Sequence, residues 1–103
     1  MKIHHKLVRD RIPEIIATSG RTCAVRVLAP GEYEEHLQRK LAEEMAEYQA
    51  DGSVQELADL VEVVQAIIEA RGMTWAEFEA IRQQKRDERG GFARRLLLET
   101  VSE

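Results

Sequence analysis

The segment from Leu41 to Asp59 constrains this chain more than any other. Two helical patterns meet there across the short turn Asp51-Gly52-Ser53, which makes them antiparallel neighbours. The first pattern ends in Glu43, Glu44 and Glu47, and the second begins with Glu56 and Asp59. Five carboxylates can therefore meet near one end of a helix pair. Two unit charges about 4 Å apart at an effective dielectric near 20 repel by roughly 4 kcal/mol. Such a cluster either faces water or holds a cation.

Helical projection sorts these acids. Successive residues turn by about 100°, so Leu37, Leu41, Met45 and Tyr48 form one apolar stripe on a helix over residues 32–50. Glu44 falls at the centre of that stripe, Glu47 on its flank and Glu43 further round. A carboxylate centred on an apolar face is costly to bury unless its charge is compensated. Glu34, Glu35 and Lys40 read as an ordinary solvated face. The next helix, over residues 54–71, has an unusually wide apolar arc that includes Leu57, Leu60, Val61, Val64, Ile67 and Ile68. Glu56 lies inside that arc and Asp59 just past its edge. An arc this broad in a small chain needs partners on two sides, which predicts a homodimer or higher homo-oligomer.

The remaining chain fits one mainly α domain over residues 1–103, an antiparallel helix bundle. Residues 6–19 read as a turn and short helix, with Pro13 in its first turn and Gly20 at its end. Val25 and Val27 alternate against Arg26, the pattern of a short strand over residues 23–28 that Pro30-Gly31 would break. Gly72 closes the third helical segment, and Thr74 with Glu77 forms a capping box for a fourth that carries Trp75, Phe78 and Ile81. Gly90-Gly91 ends that helix, and the Leu96-Leu97-Leu98 run suits a second strand over residues 92–99. The two strands could pair as a small two-stranded β element.

Composition excludes several classes. The net charge of −4 gives no general drive toward nucleic acid, so no specific nucleic-acid partner is expected. No apolar run approaches membrane-spanning length, and the first residues lack the apolar core of a signal peptide. The lone Cys23 has no internal disulfide partner, which fits a reducing cytoplasm. Acids dominate the middle of the chain, while Lys6, Arg9 and Arg11 lie near one end and Arg82, Lys85, Arg86, Arg89, Arg94 and Arg95 near the other. An acidic centre with basic flanks suits a metal ion and a phosphorylated ligand; a surface of mixed charge is the plainer account.

Glu44 and Glu47 are three residues apart, as are Glu56 and Asp59, so each pair projects from one helix face. Hard oxygen donors without His or Cys select Mg²⁺, with Mn²⁺ as an alternative, over zinc. A cation held this way suits phosphate chemistry. Plainer roles exist for each acid: Ser53 and Glu56 form a capping box, and Asp59 lies near a positive helix end. Glu43 and Glu47 could be surface acids. Glu44 resists such an account. The basic tract around Lys85 and Arg89 could hold a triphosphate, or could simply favour a helix C-terminus.

The pattern Glu43-Glu44-x-x-Glu47 followed by Glu56-x-x-Asp59 resembles the motif of the all-α nucleoside triphosphate pyrophosphohydrolases. That superfamily includes MazG, the dimeric dUTPases and phosphoribosyl-ATP pyrophosphohydrolase. Lys6-Leu-Val-Arg-Asp-Arg-Ile-Pro13 and Glu88-Arg-Gly-Gly-Phe92 are similar to a small MazG-like branch described as predicted house-cleaning pyrophosphatases. The resemblance implies an all-α NTP pyrophosphatase fold and an Mg²⁺-dependent split of a nucleoside triphosphate into monophosphate and pyrophosphate. It implies Glu44, Glu47, Glu56 and Asp59 as metal ligands, with Glu43 assisting or binding a second ion. Glu43 or Glu47 would orient or deprotonate the attacking water, and Lys6, Arg9, Lys85, Arg89 and Arg95 are candidate phosphate contacts. Eight residues separate Glu47 from Glu56, fewer than in larger MazG proteins. Two other functions share these features: a non-catalytic helical module binding a nucleotide or a protein, and phosphoribosyl-ATP hydrolysis.

Overall fold

Four helices carry the chain: α1 (Ile12–Thr18), α2 (Pro30–Asp51), α3 (Val54–Ala70) and α4 (Trp75–Arg89). The structure is a computed structural model that describes residue 2 and residues 4–102. Its central unit is the α2–α3 hairpin, and α4 packs back onto α3. Helix α1 makes no close backbone approach to another helix among the described residues.

Local chemistry explains the helix ends. Pro30 occupies the first turn of α2, where its missing N–H removes nothing from the helix. Glu32 turns back to accept the Ala29 N–H at 3.2 Å and receives both Arg26 guanidinium nitrogens at 3.1 and 2.9 Å. Helix α2 therefore starts at Pro30, where the sequence pattern suggests a break, because proline at that position opens a helix. Gly52 caps α2 with φ +72°, a left-handed conformation that glycine adopts without a Cβ penalty. The Ser53 hydroxyl then accepts the Glu56 N–H at 3.3 Å and opens α3. Thr74 and Glu77 form the expected capping box of α4.

The expected two-stranded β element does not form. Residues 23–28 and 92–99 contain no strand. Val27 is 97% exposed, and Leu96, Leu97 and Leu98 all face solvent. A strand is stable only when its backbone groups pair with a neighbour, and these two segments find none in one another. Alternating apolar residues suggest strands, but the pattern does not name a pairing partner.

The apolar core is small. Leu37 on α2 is 3% exposed and Val63 on α3 is 8% exposed, and these are the buried apolar side chains of the described residues. Met45, Val54, Leu57, Val61 and Ile81 remain exposed on the helices. No helix among the described residues is long and apolar enough to cross a membrane.

Candidate metal centre

The hairpin delivers the five acids to one place. Glu44, at the heart of the α2 stripe, is 6% exposed, as buried as the core leucine and valine beside it. Glu43, Glu44 and Glu47 each offer an oxygen within 4.8 Å of the others, and so do Glu44, Glu56 and Asp59. Two triads therefore overlap at Glu44, one along α2 and one bridging α2 to α3. Glu44 is buried and Glu56 and Asp59 are half-buried, as the projection expects, but Glu43 and Glu47 depart from it: Glu43, projected furthest from the stripe, is half-buried beneath Lys6 and Lys40, and Glu47 is exposed.

One oxygen of Glu44 and one of Glu56 are buried without a hydrogen-bond partner. Buried carboxylate oxygens are ordinarily satisfied, because leaving one unpaired costs about 1–3 kcal/mol. Burial is the main reason the Glu44 carboxyl is pushed above its usual range, and the Glu47 charge adds to it. Burial also leads the upward shift of Glu56, followed by the Glu47 and Asp59 charges. The capping role expected for Glu56 falls to its backbone N–H, which leaves the side chain to the cluster. This donor set is all oxygen, on two helices, with two atoms lacking any partner among the described residues. It fits a hard divalent cation.

Three cations already touch the rim. Lys6 Nζ donates to Glu43 Oε1 at 3.0 Å, and Arg9 Nη2 donates to Asp59 Oδ1 at 2.6 Å. The Lys6 ammonium is the main reason the Glu43 carboxyl sits below its usual range. Lys40 lies 3.6 Å from Glu43 and 3.5 Å from Glu44. Helical projection assigns Lys40 to a solvated face, but it belongs to the site. Its spacing of three and four residues from Glu43 and Glu44 is the signal that identifies it. Glu47 forms no ion pair among the described residues.

The other candidate phosphate contacts lie elsewhere. Lys85 and Arg89 are exposed on α4, and Arg95 is exposed in the following segment with φ +58°. None of these three pairs with the cluster among the described residues.

No protein-family model matches the chain. No solved structure matches it. An uncharacterized protein of Mycolicibacterium smegmatis (strain ATCC 700084 / mc(2)155) is 56% identical over 45 residues, which is 44% of this chain and 46% of that protein. The matched stretch thus spans a little under half of each.

Proposed function

We propose that this protein is an Mg²⁺-dependent nucleotide pyrophosphohydrolase that cleaves a nucleoside triphosphate to monophosphate and pyrophosphate, clearing non-standard nucleotides. The observation that carries the reading is Glu44, buried on an apolar stripe with an unpartnered oxygen among acids of two helices. Mg²⁺, or Mn²⁺ in its place, would be held by Glu44, Glu47, Glu56 and Asp59, with Glu43 at the margin. Bound there, it would neutralise phosphate oxygens and acidify water. Glu43 is engaged by Lys6 and Lys40, whereas Glu47 is exposed and unpaired, so Glu47 is the better placed to orient or deprotonate the attacking water.

The reading extends to a homo-oligomer. A compact monomer of this mass exposes about 5,900 Å² and a domain of this length has a radius of gyration of about 13 Å. The chain exposes 9369 Å² and has a radius of gyration of 18.2 Å. Apolar side chains exposed on the helices, including Leu57 and Val61 of α3, are available to cover against a second copy.

Incubation with Mg²⁺ and a panel of standard and modified nucleoside triphosphates tests the reading. Pyrophosphate and a monophosphate are the expected products, and Glu44→Gln removes the activity. Release of orthophosphate alone, or no turnover across the panel, rejects it.

A further inference from the structure

The segment from Lys6 to Arg9 lies across the carboxylate cluster and pins both helices that build it. Lys6 holds Glu43 of α2 at 3.0 Å, and Arg9 holds Asp59 of α3 at 2.6 Å. The partners are 37 and 50 residues apart in the chain, so neither contact is a by-product of helix periodicity. Between the two cations, Leu7 and Val8 line a groove of about 250 Å³ together with Leu37 and Val63, the two buried apolar residues of the hairpin. The segment is thus a strap across the groove, with Leu7 half-buried, Val8 40% exposed and a cation over each half of the site. Arg11 differs: its guanidinium pairs at 3.3 Å with Glu14, on its own short helix.

Charge accounting gives the strap a role. The five acids carry a formal −5, and Lys6, Arg9 and Lys40 return +3, which leaves −2 at the cluster. That remainder equals the charge of one divalent ion. An ion entering the cluster cancels that remainder and, being positive itself, repels Lys6 and Arg9 and competes for their carboxylates, which weakens their hold. Their side chains are 53% and 54% exposed, and ion pairs this open contribute little and exchange readily. A compact ammonium and a planar guanidinium are also the groups best suited to phosphate oxygens.

We propose that Lys6 and Arg9 are exchangeable counter-ions of the site: they hold Glu43 and Asp59 in the metal-free protein, and move to the phosphate oxygens of an anionic ligand once a divalent ion takes over the carboxylates. The proposal rests on the cluster being a metal site, and makes the two residues positioning groups for a polyphosphate.

Isothermal titration calorimetry on the full chain tests it without turnover. A dication and a unit cation about 6 Å apart in a water-like dielectric repel enough to change affinity about tenfold. Mn²⁺ should therefore bind about tenfold or more tightly to the Lys6→Met/Arg9→Met variant than to the unsubstituted protein, and Arg11→Met should leave its affinity unchanged. With Mn²⁺ saturating, inorganic triphosphate should bind about tenfold more weakly to the double variant. Unchanged or weaker Mn²⁺ binding in the double variant, or unchanged triphosphate binding, overturns the exchange while leaving the metal site in place. If neither protein binds Mn²⁺, the metal reading falls and the exchange falls with it.

Discussion

Glu44 of α2 and Glu56 of α3 face the same small space, each with one buried oxygen that no group among the described residues satisfies. In both, burial pushes the carboxyl up, and ionised neighbours push it further. The hairpin's own charges therefore place a local electrostatic burden at its centre. A proton or a divalent cation relieves it.

Calorimetry should show that relief directly. A ligand that binds the folded state alone adds about 2.7 kcal/mol of stability at a concentration one hundred times its Kd. For a domain of about this size, 1 kcal/mol moves Tm by about 4–8 °C. Mg²⁺ or Mn²⁺ at that excess should raise Tm by more than about 10 °C, and a chelator should reverse the gain.

Neutralising the central acid should separate stability from binding. Glu44→Gln keeps the shape and removes one buried charge, so the metal-free protein should gain on the order of 1 kcal/mol. Chemical denaturation without metal should show that gain, while thermal scans of the same variant should show no stabilisation by Mn²⁺.

Stability should also depend on pH in two opposed ways. Glu44 and Glu56 have raised pKa values in the folded state, so the fold binds their protons more readily than the unfolded chain does. Their contribution to stability increases as pH falls through those raised values toward the ordinary glutamate value of 4.5, and is lost as pH rises back through them. Glu32 runs the other way, because its Arg26 partner lowers it to about 2, and Glu43 is also lowered, chiefly by Lys6. Their stabilisation is present above about 4.5 and disappears as pH falls below it. Metal-free melting curves should therefore rise in Tm from neutral pH toward pH of about 5 and decline in stronger acid. With saturating Mn²⁺ the upper part of that trend should invert, because protons compete for the same oxygens.

The slight core makes a sharp mutational contrast. Leu37→Ala removes one of the two buried apolar side chains among the described residues and should cost about 2–5 kcal/mol, enough to unfold a domain of marginal stability. Ile81→Ala, at an exposed site on α4, should cost less than about 1 kcal/mol in the metal-free chain. Urea denaturation of the two variants distinguishes them.

Light scattering coupled to size exclusion addresses the uncovered surface. The expected mass is at least twice the 11.8 kDa of one chain. Leu57→Asp with Val61→Asp should shift the population toward the single chain, because both side chains lie exposed on α3.

Much of the site is legible in the order of the residues. The 100° step of a helix places Glu44 and Glu56 inside apolar arcs, and neither is exposed, but it ranks Glu43 and Glu47 in the wrong order, because Lys6 and Lys40 cover Glu43. The caps at Gly52, Ser53 and Thr74 are legible because each uses residues adjacent in sequence. What periodicity does not supply is pairing at long range. Lys6 and Arg9 reach Glu43 and Asp59 across 37 and 50 residues, and nothing in the local pattern names those partners. The strand expectation fails for the same reason: Val25, Val27 and Leu96–Leu98 have the right alternation or apolarity, but a strand depends on a neighbour that a one-dimensional pattern does not identify.

The connection at Gly52 and Ser53 has a consequence for how the site is made. Glu44 and Asp59, the outermost of the four expected ligands, are fifteen residues apart in the chain. A helical hairpin with so short a loop closes on the microsecond scale, well before distant segments meet. Early closure of this hairpin would bring the carboxylates face to face while the ends of the chain are still searching. A divalent ion present at that moment could fasten the hairpin from within, so the metal would act on the order of folding as well as on its endpoint.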